Sequence, residues 1–179
     1  MQTDKQKIIN YLKEFTTQER YNRIQDIARK RTRYVTVVVE NLFQSHNISA
    51  ILRTAEAMGI QDVHIIENNF EYEINKQVAL GAQKWLSIYH YNHLSNNTVS
   101  CLQAVKEKGY KIVATLPQED NCLLEDISLD SKTAFLFGTE LSGLTPEALE
   151  MADQFIKIPM YGFTESYNVS VSVALTLMN

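Results

Sequence analysis

Three stretches of this chain combine residue types that can do chemistry with a spacing that can bring them together. In the first, Asn47-Ile48-Ser49-Ala50-Ile51-Leu52-Arg53-Thr54-Ala55, Asn47 suits a helix N-cap and Arg53 follows six residues later, beside an apolar stripe of Ile48, Ile51, Leu52 and Ala55. Taken alone, such an arginine reads most simply as an ion pair with Glu56 or as a snorkelling surface side chain. The second, Phe137-Gly138-Thr139-Glu140-Leu141-Ser142-Gly143-Leu144, is a strand running into a turn with two glycines, which permit positive φ or close approach of a ligand to the backbone. By itself it describes a tight strand-to-helix turn. It is neither a Walker loop nor G-x-G-x-x-G. In the third, Ile156 to Ala174, Val169 to Val173 alternates like a strand. Ser166 or Asn168 can instead cap a wholly buried helix, with small serines for close packing and apolar positions on every side, and that is the expected form.

The elements that must position these segments follow from periodicity. Continuous β-branched or apolar runs at Val35 to Val39, Val63 to Ile66, Lys111 to Thr115 and Ala134 to Phe137 predict buried strands. Helical stretches lie between them at Ile48 to Met58, Thr98 to Lys108 and Pro146 to Ala152, with Gly59 and Gly109 placed as left-handed caps. Alternation of this kind predicts an α/β fold on a parallel sheet with flanking helices. In such sheets ligands bind outside the carboxyl ends of the strands, where this chain has its polar, turn-prone segments 40–47, 116–117 and 138–144. Residues 3–31 repeat apolar positions at helical spacing with a break at Thr16-Thr17, predicting two short helices.

Net charge is −4, but it is unevenly spread: residues 1–33 hold nine Lys/Arg against four Asp/Glu, and the rest hold eight against seventeen. The basic run Arg29-Lys30-Arg31-Thr32-Arg33 can attract phosphate, or it is a solvated helix face. With 179 residues and 45% apolar composition, one full core is expected, preceded by a short appendage. No apolar run is long enough for a membrane span and the first residues do not read as a signal peptide, so a cytoplasmic protein is expected. Cys101 and Cys122 have no paired spacing, and His90 and His93 lack a third ligand and read as a surface pair, so neither a disulfide framework nor a metal site is signalled.

In order and spacing the three segments resemble the three motifs of the SpoU branch of the knotted (SPOUT) RNA methyltransferases, from about Tyr34 to Asn179. Motif three, IPMYGFTESYNVSVSVAL, is close to diagnostic. In detail the chain is similar to the TrmH-type tRNA guanosine-18 enzymes, through HNISAILRTAEAMGI, GTELSGLTPEALEMAD and the basic helices ahead of the first strand. The resemblance implies a basic helical RNA-binding extension at residues 1–33 and a methyltransferase domain at 34–179, with a deep trefoil knot at about 133–179. It implies S-adenosyl-L-methionine (AdoMet) held by Thr115, Leu116, Gly138, Thr139, Glu140, Gly143, Ile158, Met160, Tyr167 and Asn168. Arg53 becomes the catalytic residue, supported by Asn47, Glu140, Ser166 and Asn168, in a site shared across a homodimer. RNA contacts are implied for Arg29, Lys30, Arg31, Arg33, His46 and Arg53, with no metal.

Departures from the pattern bear on substrate range. Ser166-Tyr167-Asn168 replaces a usual Ser-Leu-Asn, making that cofactor wall bulkier, and Leu42 to His46 replaces a Lys-Pro step, removing a positive charge. The chain stops at Leu177-Met178-Asn179, where TrmH-type proteins continue with a helical tail. The family proposal of a general-base arginine conflicts with the weak acidity of a guanidinium, which has almost no neutral form near pH 7; pairing with the phosphate beside the target ribose and stabilising alkoxide charge suits it better. The alternatives are a 2′-O-methyltransferase for rRNA or another tRNA position, and a catalytically silent RNA-binding protein. A dinucleotide-binding α/β protein is disfavoured, because this chain has neither the glycine fingerprint nor an acidic ribose reader at the expected spacing.

Overall fold

A computed structural model describes residues 3–117, 122–139 and 142–179, which fall into two units, Met1–Arg31 and Thr32–Asn179. The first unit holds α1 (Asp4–Lys13) and α2 (Gln18–Lys30). Thr17 separates them because its hydroxyl accepts the amide of Arg20 at 3.2 Å, capping α2. Neither helix buries a residue; Ile8 and Leu12 on α1, and Phe15 just past its end, remain more than half exposed.

The second unit runs β1 (Val35–Glu40), α3 (Ser45–Ala57), β2 (Asp62–Ile66), α4 (Lys76–Ala79), β3 (Ser87–Tyr91), α5 (Asn97–Glu107), β4 (Lys111–Thr115), β5 (Cys122–Leu123), β6 (Thr133–Phe137), α6 (Pro146–Met151), β7 (Gln154–Lys157) and α7 (Val169–Met178). The seven strands form one sheet in the order β3-β2-β1-β6-β4-β7-β5, and every pairing is parallel. Side chains alternate between the two faces. Val37, Val39, Val113, Phe135 and Phe137 pack with α3 and α7, while Val38, Ile112, Ala114, Ala134 and Leu136 pack with α5 and α6. Both faces being covered is why these strands read as unbroken apolar runs. Each fully buried Leu or Ile contributes about 1.5–3 kcal/mol. Gly59 and Gly109 close α3 and α5 at φ 77° and 83°, as left-handed caps do.

Two expectations need correction, and three strands give no signal in the sequence. Helix α3 starts at Ser45, with Gln44 in the cap position, so Asn47 lies inside the first turn and is not the N-cap. Strands β3, β5 and β7 were not legible: β3 and β5 are the sheet's edges, and β7 is only four residues long. Helix α7 is capped by Asn168, whose side chain accepts the amide of Ser170 at 2.9 Å, but it is not wholly buried. Val169, Val173 and Thr176 face the core, whereas Val171, Leu175 and Met178 are 44%, 39% and 70% exposed in the single chain.

The core includes ionisable groups, His64 among them. His64 on β2 is fully buried, stacked 4.7 Å from Tyr89, with Nδ1 3.2 Å from the Tyr91 hydroxyl. Burial, and then the charge of Lys108, push its pKa down to about 3.

Candidate active site

The loops after β4, β6 and β7 meet around a cavity of ≈ 480 Å³. From the β4 end come Thr115, Leu116 and Pro117; from the β6 end, Phe137, Gly138, Thr139, Ser142, Gly143 and Leu144. The segment beyond β7 adds Ile158, Met160, Glu165, Ser166 and Tyr167, α7 contributes Val169 and Ser172, and α6 contributes Leu149. A site outside the carboxyl ends of parallel strands is the one such a sheet makes available, because the loops there diverge while the strands stay paired.

The β6 loop is shaped by a backbone pinch. Thr139 and Gly143 exchange two amide-to-carbonyl bonds of 3.1 Å each, the Thr139 hydroxyl lies 2.7 Å from that of Ser142, and Gly143 takes φ +66°. The closure leaves no room at Gly138: a Cβ there would lie 2.2 Å from the carbonyl oxygen of Gly143. The two glycines therefore serve different needs, one a close approach and the other a left-handed turn. Across the cavity, the Tyr167 hydroxyl donates to the carbonyl of Pro159 at 3.2 Å, tying the ends of the 159–167 loop together. The bulkier residue at this position thus also braces the wall.

Eight of the expected cofactor residues line this cavity: Thr115, Leu116, Gly138, Thr139, Gly143, Ile158, Met160 and Tyr167. So does Ser166. Glu140 lies outside the described residues. Asn168 and Asn47 are not in the lining but are joined to each other: the Asn168 amide donates to Oδ1 of Asn47 at 3.0 Å, linking the start of α3 to the start of α7. Sequence reasoning missed Ser142, Glu165 and Ser172. The signal for Ser172 is helical spacing, since it lies three residues after Val169 on the same face.

Of the expected RNA-contacting residues in the second unit, Arg33, His46 and Arg53, none is in the cavity lining. Arg53 is exposed on α3, is not in the cavity lining, and its guanidinium makes no hydrogen bond or ion pair with any described residue, so the Glu56 pair is not formed. His46 is exposed in the first turn of α3. Arg29 and Lys30 sit in the last turn of α2, where Arg29 lies 3.9 Å from Asp26, and Arg31 follows as its C-cap. Arg33 is engaged differently: its guanidinium pairs with the buried carboxylate of Asp62 at the amino end of β2, the end of the sheet away from the cavity. That hydrogen bond raises the Arg33 pKa further.

Residues 34–178 match the sequence profile described as the SpoU rRNA Methylase family, from the first strand through α7. The chain belongs to that family. Among SpoU relatives, the chain is 42% identical to the tRNA (guanosine(18)-2′-O)-methyltransferase of Borreliella burgdorferi, over 99% of this chain and 79% of that protein. The crystal structure of the A. aeolicus TrmH/SpoU tRNA modifying enzyme superimposes with a TM-score of 0.80 at 32% identity, covering 89% of this chain and 80% of that one. The SpoU methyltransferase AviRb of Streptomyces viridochromogenes, solved in complex with AdoMet, shares the fold at TM-score 0.68 and 22% identity, over 83% of this chain and 57% of that one.

Proposed function

We propose that this protein transfers a methyl group from AdoMet to a ribose 2′-hydroxyl of RNA, with guanosine 18 of the tRNA D-loop as its target. The observation that carries the reading is the cavity, which gathers motifs two and three of the SpoU family while the Asn47–Asn168 bond ties motif one to its rim. The residues present fit AdoMet. The cavity has the size of a small-molecule site, and the pinch at Gly138 brings bare backbone to its wall. Leu116, Leu144, Ile158 and Met160 offer apolar surface for the adenine, Thr139, Ser142 and Ser166 offer hydroxyls, and the Glu165 carboxylate complements a cationic ligand. When bound, the cofactor supplies a sulfonium methyl for attack by the ribose oxygen.

The chain's own contribution is alignment, which supplies most of the rate in such a transfer. Arg53 pairs with the phosphate next to the target ribose and stabilises negative charge developing on the 2′-oxygen. Its distance from the cavity lining is explained if a second copy presents it. Val171, Leu175 and Met178 form an exposed stripe at helical spacing along α7, and we assign this stripe to a homodimer interface. The chain beyond β6 is further proposed to form the trefoil knot of the family, and Arg29, Lys30 and Arg31 to bind the tRNA backbone. Such a role places the protein in the cytoplasm; no helix among the described residues is long and apolar enough to cross a membrane.

Labelled AdoMet with tRNA transcripts carrying or lacking guanosine 18 tests the proposal. Label on the first transcript alone is expected. Label on both would redirect the target to another tRNA nucleotide, and label on neither, with AdoMet bound, would favour an rRNA target or a silent RNA-binding protein.

A further inference from the structure

We propose that Glu40 is a positioning residue for cofactor binding: it touches no ligand, but it anchors the far end of the β6 loop that forms one wall of the cavity. The inference rests on the reading of that cavity as the AdoMet site. Glu40 ends β1 and is 1% exposed. A carboxylate withdrawn from water is costly unless donors satisfy it, and an apolar side chain of similar size would pack there without that cost. Its presence points to the donors it holds. Oε1 accepts the hydroxyls of Thr98 at 2.5 Å and of Thr145 at 2.7 Å, and Oε2 accepts the amide of Thr145 at 2.9 Å.

Thr145 is the residue at which the loop ends. It follows Leu144, which lines the cavity, and its hydroxyl caps α6 by accepting the amide of Ala148 at 3.3 Å. The near end of the loop is fixed as the continuation of β6, itself paired with β1 and β4. Glu40 ties the far end to the same sheet through β1, so the pinch between Thr139 and Gly143 is held from both sides. Two of its three bonds go to Thr145; the third reaches across to Thr98 in the first turn of α5, which is not part of the cavity lining. The arms can therefore be cut separately.

AdoMet binding by calorimetry, thermal midpoints without cofactor, and the split of kcat from AdoMet KM on a tRNA transcript test the idea. Glu40→Gln, which places an amide against three donors, is expected to raise the AdoMet dissociation constant and KM about tenfold, with kcat at saturating cofactor changed less than twofold. Thr145→Val is expected to do the same and Thr145→Ser to restore binding, a pair that decides the matter should Glu40→Gln not fold. Thr98→Val is expected to lower the thermal midpoint yet leave AdoMet affinity within twofold. Unchanged affinity in both Glu40→Gln and Thr145→Val, or an equal loss in Thr98→Val, overturns the positioning role. Failure of the wild type to bind AdoMet overturns the cavity reading beneath it.

Discussion

Replacing Gly138 with alanine puts a methyl carbon 2.2 Å from the Gly143 carbonyl oxygen, 2.3 Å from its carbon and 2.7 Å from the Leu144 amide nitrogen. Comfortable contact needs about 3.5 Å, so the two sides of the loop must part by more than about 1 Å. That movement breaks the two 3.1 Å bonds between Thr139 and Gly143. Losing them costs about 1 kcal/mol each, and overpacking against backbone adds about 1–3 kcal/mol, for a total near 3–5 kcal/mol. A domain with an ordinary reserve of about 5–15 kcal/mol stays folded with a deformed cavity wall. Gly143→Ala is the internal comparison: nothing lies within 4 Å of its Cβ, and φ +66° costs about 1–2 kcal/mol. Urea unfolding should rank Gly138→Ala well below Gly143→Ala, and calorimetry should show AdoMet affinity falling more than about 100-fold in the former, with a smaller loss in the latter. A Gly138→Ala protein that binds AdoMet like the wild type, or that is no less stable than Gly143→Ala, would refute the close approach as the reason for this glycine.

Arg53→Lys should lower turnover on tRNA at least about 100-fold while leaving AdoMet affinity within about twofold, because lysine is a point charge without the planar fork; near-normal turnover would discredit bidentate phosphate pairing. Leu175→Glu, in the middle of the α7 stripe, should give a monomer by light scattering that still binds AdoMet but methylates poorly; a fully active monomer would remove the shared site. His64 is held neutral in the fold with its pKa lowered to about 3, so below the unfolded value of about 6.5 the unfolded chain binds a proton that the native state refuses, and stability falls as pH drops between those values. From pH 7.5 to pH 5 that amounts to about 2 kcal/mol, and His64→Asn should lose about that much less stability over the same range in urea titrations; equal slopes would contradict a neutral buried imidazole.

What was legible in the sequence divides along physical lines. Strands β1, β2, β4 and β6 carry apolar residues on both faces because helices cover both, and they stand out as runs. Strand β3, Ser87–Tyr91, is an edge that mixes serine, isoleucine, tyrosine and histidine without a buried run, and β5 is two residues long, so neither stands out. The wall segments 116–117 and 138–144 could be placed in advance because turn-prone residues follow buried strands at the sheet's carboxyl ends; Ile158, Met160, Ser166 and Tyr167 are legible through the family resemblance alone, and Glu165 and Ser172 carry no turn or strand signal of their own. Asn47 misled because asparagine is a strong cap; here its side chain bonds to Asn168, and the helix starts two residues earlier. Arg33, read as one more cation in a basic run, is bound to Asp62, a partner twenty-nine positions away that local sequence does not announce.

The seat of β6 between β1 and β4 sets an order on biosynthesis. Both neighbours leave the ribosome before it does, so until residues 133–137 emerge the nascent chain carries two apolar strands whose facing edges have unpaired amides and carbonyls. Such edges template association with other chains. A polypeptide halted just after β4 is therefore expected to precipitate or engage chaperones; adding Thr133–Phe137 with their preceding segment closes the β1–β4 gap and should restore part of the solubility, the other edge of β4 staying open until β7 follows.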